Sequence, residues 1–356
     1  MKFTTVCMNY PQPSYIPKKV DYFFWPNVMM KEKGFDSTIL TWRLPGTKKE
    51  ENVDGIRVKR FTNVASLLLT LRVQNPELVH SHTFGWMPGV LSSAFCKRSV
   101  FAPNVYTLET SKQFLKTRIF FTKMFNRIIT LTEFERQNII GHGFDPKRVT
   151  VITDAIDYNF MSHPYGGEKV RKKYGENIVI SIANYGPRKN LDTLIKSIAL
   201  VRKKVKDVKL LIIGRDAHGG YKPVLKETAR KAGVEKNVYF LDWLKHGDVI
   251  NYLDAADVFA LPSKIEGQCI AACEAAAAGV PLVLSNIGPL YELYRDFALF
   301  SKPDDLNKLA KNITDALTDE KLRKTLIKKG KTEMKKYDIS KVQKRQYKVY
   351  SEVLKE

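Results

Sequence analysis

The sequence predicts an α/β protein built from two doubly wound parallel-sheet domains, with a helical C-terminal tail. Three observations carry this. Short β-branched runs alternate with amphipathic stretches along most of the 356 residues. Pro164, Gly166 and Gly167 punctuate Ser162–Gly167 and divide the alternation into two series. From Asp304 onward the apolar spacing is helical throughout. At roughly 100 to 200 residues per domain, the length suits two domains, each with its own core.

In the first series, Lys2–Asn9, Ser37–Trp42, Ile56–Phe61, Leu78–Ser81, Val105–Leu108, Ile128–Leu131 and Val149–Thr153 have strand composition. Helical spacing separates several of them, at Val20–Gly34, Trp86–Phe95, Ser111–Asn126 and Glu133–Gly141. The second series has strands at Ile178–Ala183, Val208–Ile213, Val238–Leu241, Val258–Leu261 and Leu282–Leu284. Its helices are Leu191–Val205, Tyr221–Ala232, His246–Ala255 and Ile270–Ala278. The tail reads as Leu306–Leu317, Lys321–Lys336 and Ser340–Leu354. Strands and helices alternating at this spacing imply parallel sheets covered on both faces, wound in a Rossmann-like manner. Such sheets bind ligands beyond the carboxyl ends of their strands, so the chemistry is expected in the cleft between the domains.

Composition narrows the class further. No apolar run approaches the ~20 residues of a membrane span, which argues against an integral membrane protein. Met1-Lys2-Phe3-Thr4-Thr5-Val6 reads as a strand and not as a signal peptide, so a cytoplasmic location is expected. Cys7, Cys96, Cys269 and Cys273 form no Cys-x-x-Cys, which argues against a disulfide framework or zinc ribbon. Against 37 acidic residues stand 59 lysines and arginines, a net charge of +22. That excess points to an anionic partner (nucleic acid, phosphorylated ligand or anionic lipid), with a solvated lysine-rich surface as the plain alternative.

The most informative stretch runs from Pro262 to Pro281. A strand ends at Leu261, a loop carries Glu266, and an alanine-rich helix starts near Gln268 and stops at Gly279 and Pro281. Glu274 lies inside that helix among Cys273 and alanines, which offer no polar face. A carboxylate packed there requires a hydrogen-bonding partner. Eight residues at about 1.5 Å each would separate the two carboxylates by roughly 12 Å, about the span from a ribose to a sugar across a diphosphate. The N–H groups of Cys269 and Ile270 would face the phosphates between them.

These residues resemble a known family. Glu-x7-Glu, with Gly267 after the first Glu and Glu-Ala-x-Ala-x-Gly-x-Pro from the second, is similar to the signature of family 4 retaining glycosyltransferases, which have the GT-B fold. Lys189-Asn190-Leu191, Leu210-Leu211-Ile212-Ile213-Gly214, Ala255-Ala256-Asp257-Val258, Pro262-Ser263, Gly288 and Glu292 match in order. His80-Ser81-His82, Ile128–Thr132 and Asp154-Ala155-Ile156-Asp157 fit weaker landmarks in the first domain. The resemblance implies an acceptor-side domain over residues 1–162 and a nucleotide-sugar domain over 168–338. It further implies a final helix over 339–356 that crosses back to the first domain. It assigns Glu274 to the ribose hydroxyls, Glu266 to the transferred sugar, and Lys189 to the departing diphosphate. It also places the loop residues Gly267, Gln268, Cys269 and Ile270 beside the donor. No metal and no cofactor are implied, and no Asp-x-Asp is present.

The departures are specific. The family's Arg five positions before the lysine is Asn184 here, with Arg188 or Arg215 as the compensating cation. Gln268-Cys269 replaces an aromatic-Gly pair. Tyr10–Pro17 stands where a Gly-rich loop is usual, and Glu109 where many members have a histidine. His80 and His82, at a strand end, are expected on opposite faces, which disfavours joint metal binding and leaves His82 for the cleft. Lys112, Lys116, Lys123 and Arg127 share one sector of Ser111–Ile128 beside a broad apolar face. That stretch is either a packed helix with a solvated lysine stripe or a basic helix on anionic lipid, and a lipid-linked acceptor would suit the second. The implied function is retaining transfer of a hexose-type sugar from a nucleotide diphosphate-sugar to an acceptor, lipid-linked or a glycan. The competing readings are a GT-B nucleotide-sugar epimerase or phosphorylase, and a non-enzymatic basic lipid- or nucleic-acid-binding protein. The absence of a pyridoxal-phosphate lysine motif weakens the phosphorylase, and the absence of a reading helix with stacking aromatics weakens the nucleic-acid binder.

Overall fold

The computed structural model describes residues 1–7, 24–82, 96–103, 122–163, 165–216 and 219–356. The chain divides into two compact units. Unit 1 comprises Met1–Ala155 and Ile339–Glu356, and unit 2 comprises Ile156–Asp338. The division falls before the Pro/Gly break, so the short helix Tyr158–Met161 belongs to the second unit.

Unit 2 has six strands: β9 (Ile178–Ile182), β10 (Lys209–Ile213), β11 (Val238–Leu241), β12 (Val258–Leu261), β13 (Leu282–Ser285) and β14 (Ala298–Ser301). Their order is β11-β10-β9-β12-β13-β14, all parallel. The winding therefore reverses between β9 and β12, and the loops leaving those two strands flank the switch point where doubly wound sheets bind ligands. The strands are apolar runs because helices cover both faces. Ile178, Val179, Ile180, Leu210, Leu211, Val258 and Phe259 are all fully buried. Gly214 follows β10 where the sheet leaves no room for a side chain, since a Cβ there would lie 2.0 Å from the carbonyl oxygen of Ala183.

Unit 1 carries eight strands: β1 (Lys2–Cys7), β2 (Asp36–Trp42), β3 (Glu50–Val53), β4 (Ile56–Phe61), β5 (Leu78–His82), β6 (Ser99–Ala102), β7 (Arg127–Thr130) and β8 (Val149–Val151). They run in the order β3-β4-β2-β1-β5-β6-β7-β8. All neighbours are parallel except β3–β4, a hairpin closed by Asp54-Gly55. The wholly parallel sheet expected here thus has an antiparallel edge. The helix Ile339–Lys355 packs on this unit, with Val342, Val349, Tyr350 and Val353 sharing a core with Phe3, Met30, Leu78 and Val100.

Strands β3, β6 and β14 and the helices Val64–Gln74, Gly167–Tyr174 and Gly288–Tyr294 add to the expected elements. The expected strand Val105–Leu108, the helix Trp86–Phe95, the stretch Tyr10–Pro17 and most of Ser111–Asn126 lie outside the described residues.

Candidate active site

Three loops leave the carboxyl ends of β9, β10 and β12, and they hold most of the residues singled out above. After β9 come Asn184, Arg188 and Lys189; after β10, Arg215; and after β12, Glu266, Gly267, Gln268 and Cys269, followed by Ile270 at the start of the helix Ile270–Ala278. The first two loops are tied together by the N–H of Tyr185, which donates to the carbonyl of Arg215 at 2.8 Å.

Lys189 and Glu266 form the centre of this group. The ammonium donates to Oε1 of Glu266 at 2.5 Å, and the same oxygen accepts from the Ser263 hydroxyl at 2.9 Å. The Glu266 side chain is 8% exposed and that of Lys189 26%, so the pair is held at a partly dry surface where charge interactions are stronger than in bulk water. Asn190 fixes the geometry from behind. Its backbone is left-handed (φ 54°), which asparagine tolerates, and its amide donates to the carbonyls of Pro262 at 3.1 Å and Pro303 at 2.7 Å. The two loops also meet through the N–H of Lys264, which donates to the carbonyl of Arg188 at 2.8 Å. Arg188 itself is exposed.

The helix Ile270–Ala278 begins at Cys269, whose φ of 63° breaks the helical path. Helical rise therefore applies only from Ile270 onward, and the 12 Å spacing reasoned for the two carboxylates does not carry through the loop. Burial pushes the Cys269 thiol up, with the Glu266 carboxylate adding to the effect, so the thiol stays protonated. Behind the loop, Tyr294 donates its hydroxyl to the carbonyl of Gln268 at 2.7 Å and meets that of Cys269 at 3.2 Å. Its oxygen lies 2.9 Å from the Cys273 sulfur, which also accepts from the Gln268 amide at 3.3 Å.

Glu274 is 7% exposed, and its partner is His246, whose Nε2 lies 2.8 Å from Oε1 of the carboxylate. Burial alone would lower the imidazole pKa; the hydrogen bond and charge of Glu274, with Asp157 beyond, outweigh it and raise the pKa. Sequence reasoning used His246 only as a helix start, and Ser263 and Asn190 only as landmarks. The demand for a partner at Glu274 was legible, but its identity was not.

In unit 1, β5 ends at His82. The His82 ring is tilted at 45° to that of His80, centroids 3.9 Å apart, with His82 Nε2 3.2 Å from His80 Nδ1. The expectation that they face opposite sides is corrected: residues two apart in a strand share a face. Tyr350 on the C-terminal helix also meets His80 Nδ1. Burial and then the neighbouring His82 push the His80 pKa well down, so this ring is neutral. His82 lines a small cavity with Trp25, Asp154, Gln343 and Gln346. Glu109 lies outside the described residues. Among the described residues no group of three or more His, Cys, Asp or Glu could hold a metal ion.

A doubly wound unit with an ion pair and a helix N-terminus beyond its strand ends suits an anionic ligand, and the chain's class is that of the GT-B glycosyltransferases. The model for glycosyl transferases group 1 matches residues 167–333, and that for glycosyltransferase family 4 matches residues 29–160. The chain belongs to the family 4 glycosyltransferases.

Among curated proteins, it is 21% identical over 282 residues to the 2-deoxystreptamine N-acetyl-D-glucosaminyltransferase of Niallia circulans, covering 73% of this chain and 72% of that one. It is 32% identical over 189 residues to a GDP-mannose-dependent monoacylated alpha-(1-6)-phosphatidylinositol monomannoside mannosyltransferase of Corynebacterium glutamicum. That match covers 50% of this chain and 46% of the relative, so the chain spans about half the length of this curated relative. Among solved structures, sucrose-phosphate synthase from Thermosynechococcus elongatus superposes with a TM-score of 0.81 at 16% identity, over 99% of each chain. HepE of Anabaena in complex with UDP gives 0.80 at 18% identity, over 99% and 100%. At these identities the structures establish the fold.

Proposed function

We propose that the chain is a retaining, metal-independent hexosyltransferase that takes its sugar from a nucleotide diphosphate donor bound by unit 2. The observation that carries this reading is the Lys189–Glu266 pair at the switch point, on the loop that leads into the helix of Glu274. Glu274 would accept hydrogen bonds from the ribose hydroxyls. The diphosphate would lie against the N-terminus of Ile270–Ala278, where backbone N–H groups and the helix dipole favour an anion. Lys189 would exchange part of its contact with Glu266 for the leaving phosphate, whose charge grows as the glycosidic bond breaks. Glu266, relieved of the cation, then accepts from the hydroxyls of the transferred sugar. Retention follows if the acceptor oxygen attacks from the face the diphosphate leaves and passes its proton to the departing phosphate oxygen.

The acceptor reading is lipid-linked, and the surface reading is peripheral contact with the inner face of an anionic membrane. The corynebacterial relative is named for a phosphatidylinositol acceptor. The +22 charge supports it, as do Leu69 and Val73, which are 64% and 74% exposed on the helix Val64–Gln74 with Arg72 between them. No described helix is long and apolar enough to cross a membrane.

Calorimetry against UDP-, GDP-, ADP- and dTDP-sugars tests the donor reading. Selective binding of one nucleotide supports it, and silence across the panel overturns it. Cosedimentation with phosphatidylserine vesicles at low salt tests the surface, and failure to sediment removes it.

A further inference from the structure

His246 is half-buried against the one carboxylate that the helix Ile270–Ala278 carries, yet the family signature gives it no task. Its Nε2 holds Oε1 of Glu274 at 2.8 Å, and its ring lies over that of Phe160, centroids 5.8 Å apart at 29°. Phe160 belongs to the short helix Tyr158–Met161, capped by Asp157, so one segment supplies both a ring wall and a second carboxylate. Two carboxylates act on the imidazole: Glu274, which bonds it, and Asp157 at the start of the short helix, through its charge. The helix Gly167–Tyr174, which packs along His246–Ala255, reaches that helix at Asp254, which accepts from the Gly167 N–H at 2.9 Å. None of its charged side chains is among the groups that perturb His246. Among the described residues, Oε2 of Glu274 makes no hydrogen bond to protein.

A carboxylate with one oxygen tied down and the other open is arranged to accept from a vicinal diol. We propose that His246 is a positioning residue for the donor ribose: it occupies Oε1 of Glu274, fixes the carboxylate rotamer with Oε2 free for the 2′- and 3′-hydroxyls, and neutralises the pocket beside an anionic diphosphate. The proposal rests on the reading of Glu274 as the ribose carboxylate. It adds a pH dependence to donor binding. The imidazolium persists above the ordinary histidine value of 6.5, held by Glu274 and Asp157, and is lost as pH rises through the raised value. Loss of the proton leaves the hydrogen bond available through the Nε2–H tautomer but removes the charge.

The test is donor affinity by calorimetry from about pH 6 to about pH 9, with UDP-glucose, GDP-mannose and ADP-glucose and the 2′-deoxy form of whichever binds. Wild-type affinity should fall toward high pH. His246→Gln retains a donor for Oε1 without a charge, so it should bind like wild type at high pH, more weakly at low pH, and with a flat profile. His246→Ala should weaken the donor roughly five- to tenfold at every pH. That loss should shrink for the 2′-deoxy donor, while kcat at saturating donor stays near wild type. A residue that merely supports the fold would weaken both donors alike. If Glu274→Gln binds weakly while both His246 variants keep wild-type affinity and profile, the positioning role is overturned and the ribose reading stands. If Glu274→Gln binds as wild type, or no donor binds, the ribose reading itself has failed. Should His246→Ala not fold, the flat profile of His246→Gln decides.

Discussion

Lys189 and Glu266, on loops 77 positions apart in sequence, meet at 2.5 Å across the switch point of the second sheet, with Ser263 bonded to the same carboxylate oxygen. Each neutralises the other in the absence of an anionic ligand. On the proposed reading, the pair keeps a cation in place for a charge that appears only during the reaction, which is where electrostatic stabilisation lowers a barrier most.

Replacing Lys189 with Ala should lower turnover by roughly 2 to 4 kcal/mol in barrier if it carries the leaving phosphate. Steady-state kinetics at saturating donor measure this, and near-wild-type turnover would remove Lys189 from the mechanism. Glu266→Gln releases the cation from its ion pair and takes the charge out of the proposed sugar contact. It should reduce kcat while the affinity for the nucleoside diphosphate alone stays within a few-fold.

Glu274→Ala should act on donor affinity and leave the chemical step nearly intact. One charge-assisted hydrogen bond is worth about 1.5 to 3 kcal/mol, so the donor Kd should rise roughly ten- to hundredfold. An unchanged Kd rules out the ribose assignment.

Stability should depend on pH through His246. Its pKa is raised in the folded state, so the contribution is complete below the unfolded value and is lost as pH rises through the folded one. Urea unfolding across neutral and alkaline pH should show this decline in the wild type, and Glu274→Gln should flatten it. An unaltered slope in the variant would mean that another group titrates.

Tyr294→Phe removes one hydroxyl that bonds the Gln268 carbonyl and meets that of Cys269. A buried carbonyl without a partner costs about 1 to 3 kcal/mol, and the loop in front of it carries the proposed donor contacts. The variant should lose stability by that amount in chemical denaturation and bind donor more weakly. A stable variant with unchanged affinity would show that the loop holds itself.

The strands of the second unit were legible because burial on both faces leaves them no choice of residue: Ile178–Ile182 and Val258–Leu261 contain only apolar residues and Ser181. The edge strand Glu50–Val53 was not, since Glu-Glu-Asn-Val lacks strand composition. Asp54-Gly55, with φ of 49° and 81°, was the available hairpin signal. Lys189, Glu266 and Glu274 were reached through the family signature, because no local periodicity links residues on different loops. His246 illustrates the remainder. The small residues around Glu274 announced that a partner was needed, but the partner comes from another helix, and only the packing of the two supplies it. The paired histidines failed for a simpler reason, a misapplied strand period.

The helix Ile339–Lys355 shares a core with Phe3, Leu78 and Val100, although all of unit 2 intervenes in the chain. A chain cut after Asp338 keeps unit 2 whole, whereas unit 1 loses the helix that covers part of its apolar interior. The first residues of the sequence therefore depend on the last for a finished core, and the middle does not. Limited proteolysis of the chain cut after Asp338 should leave a resistant second unit beside a first unit that is still cleaved.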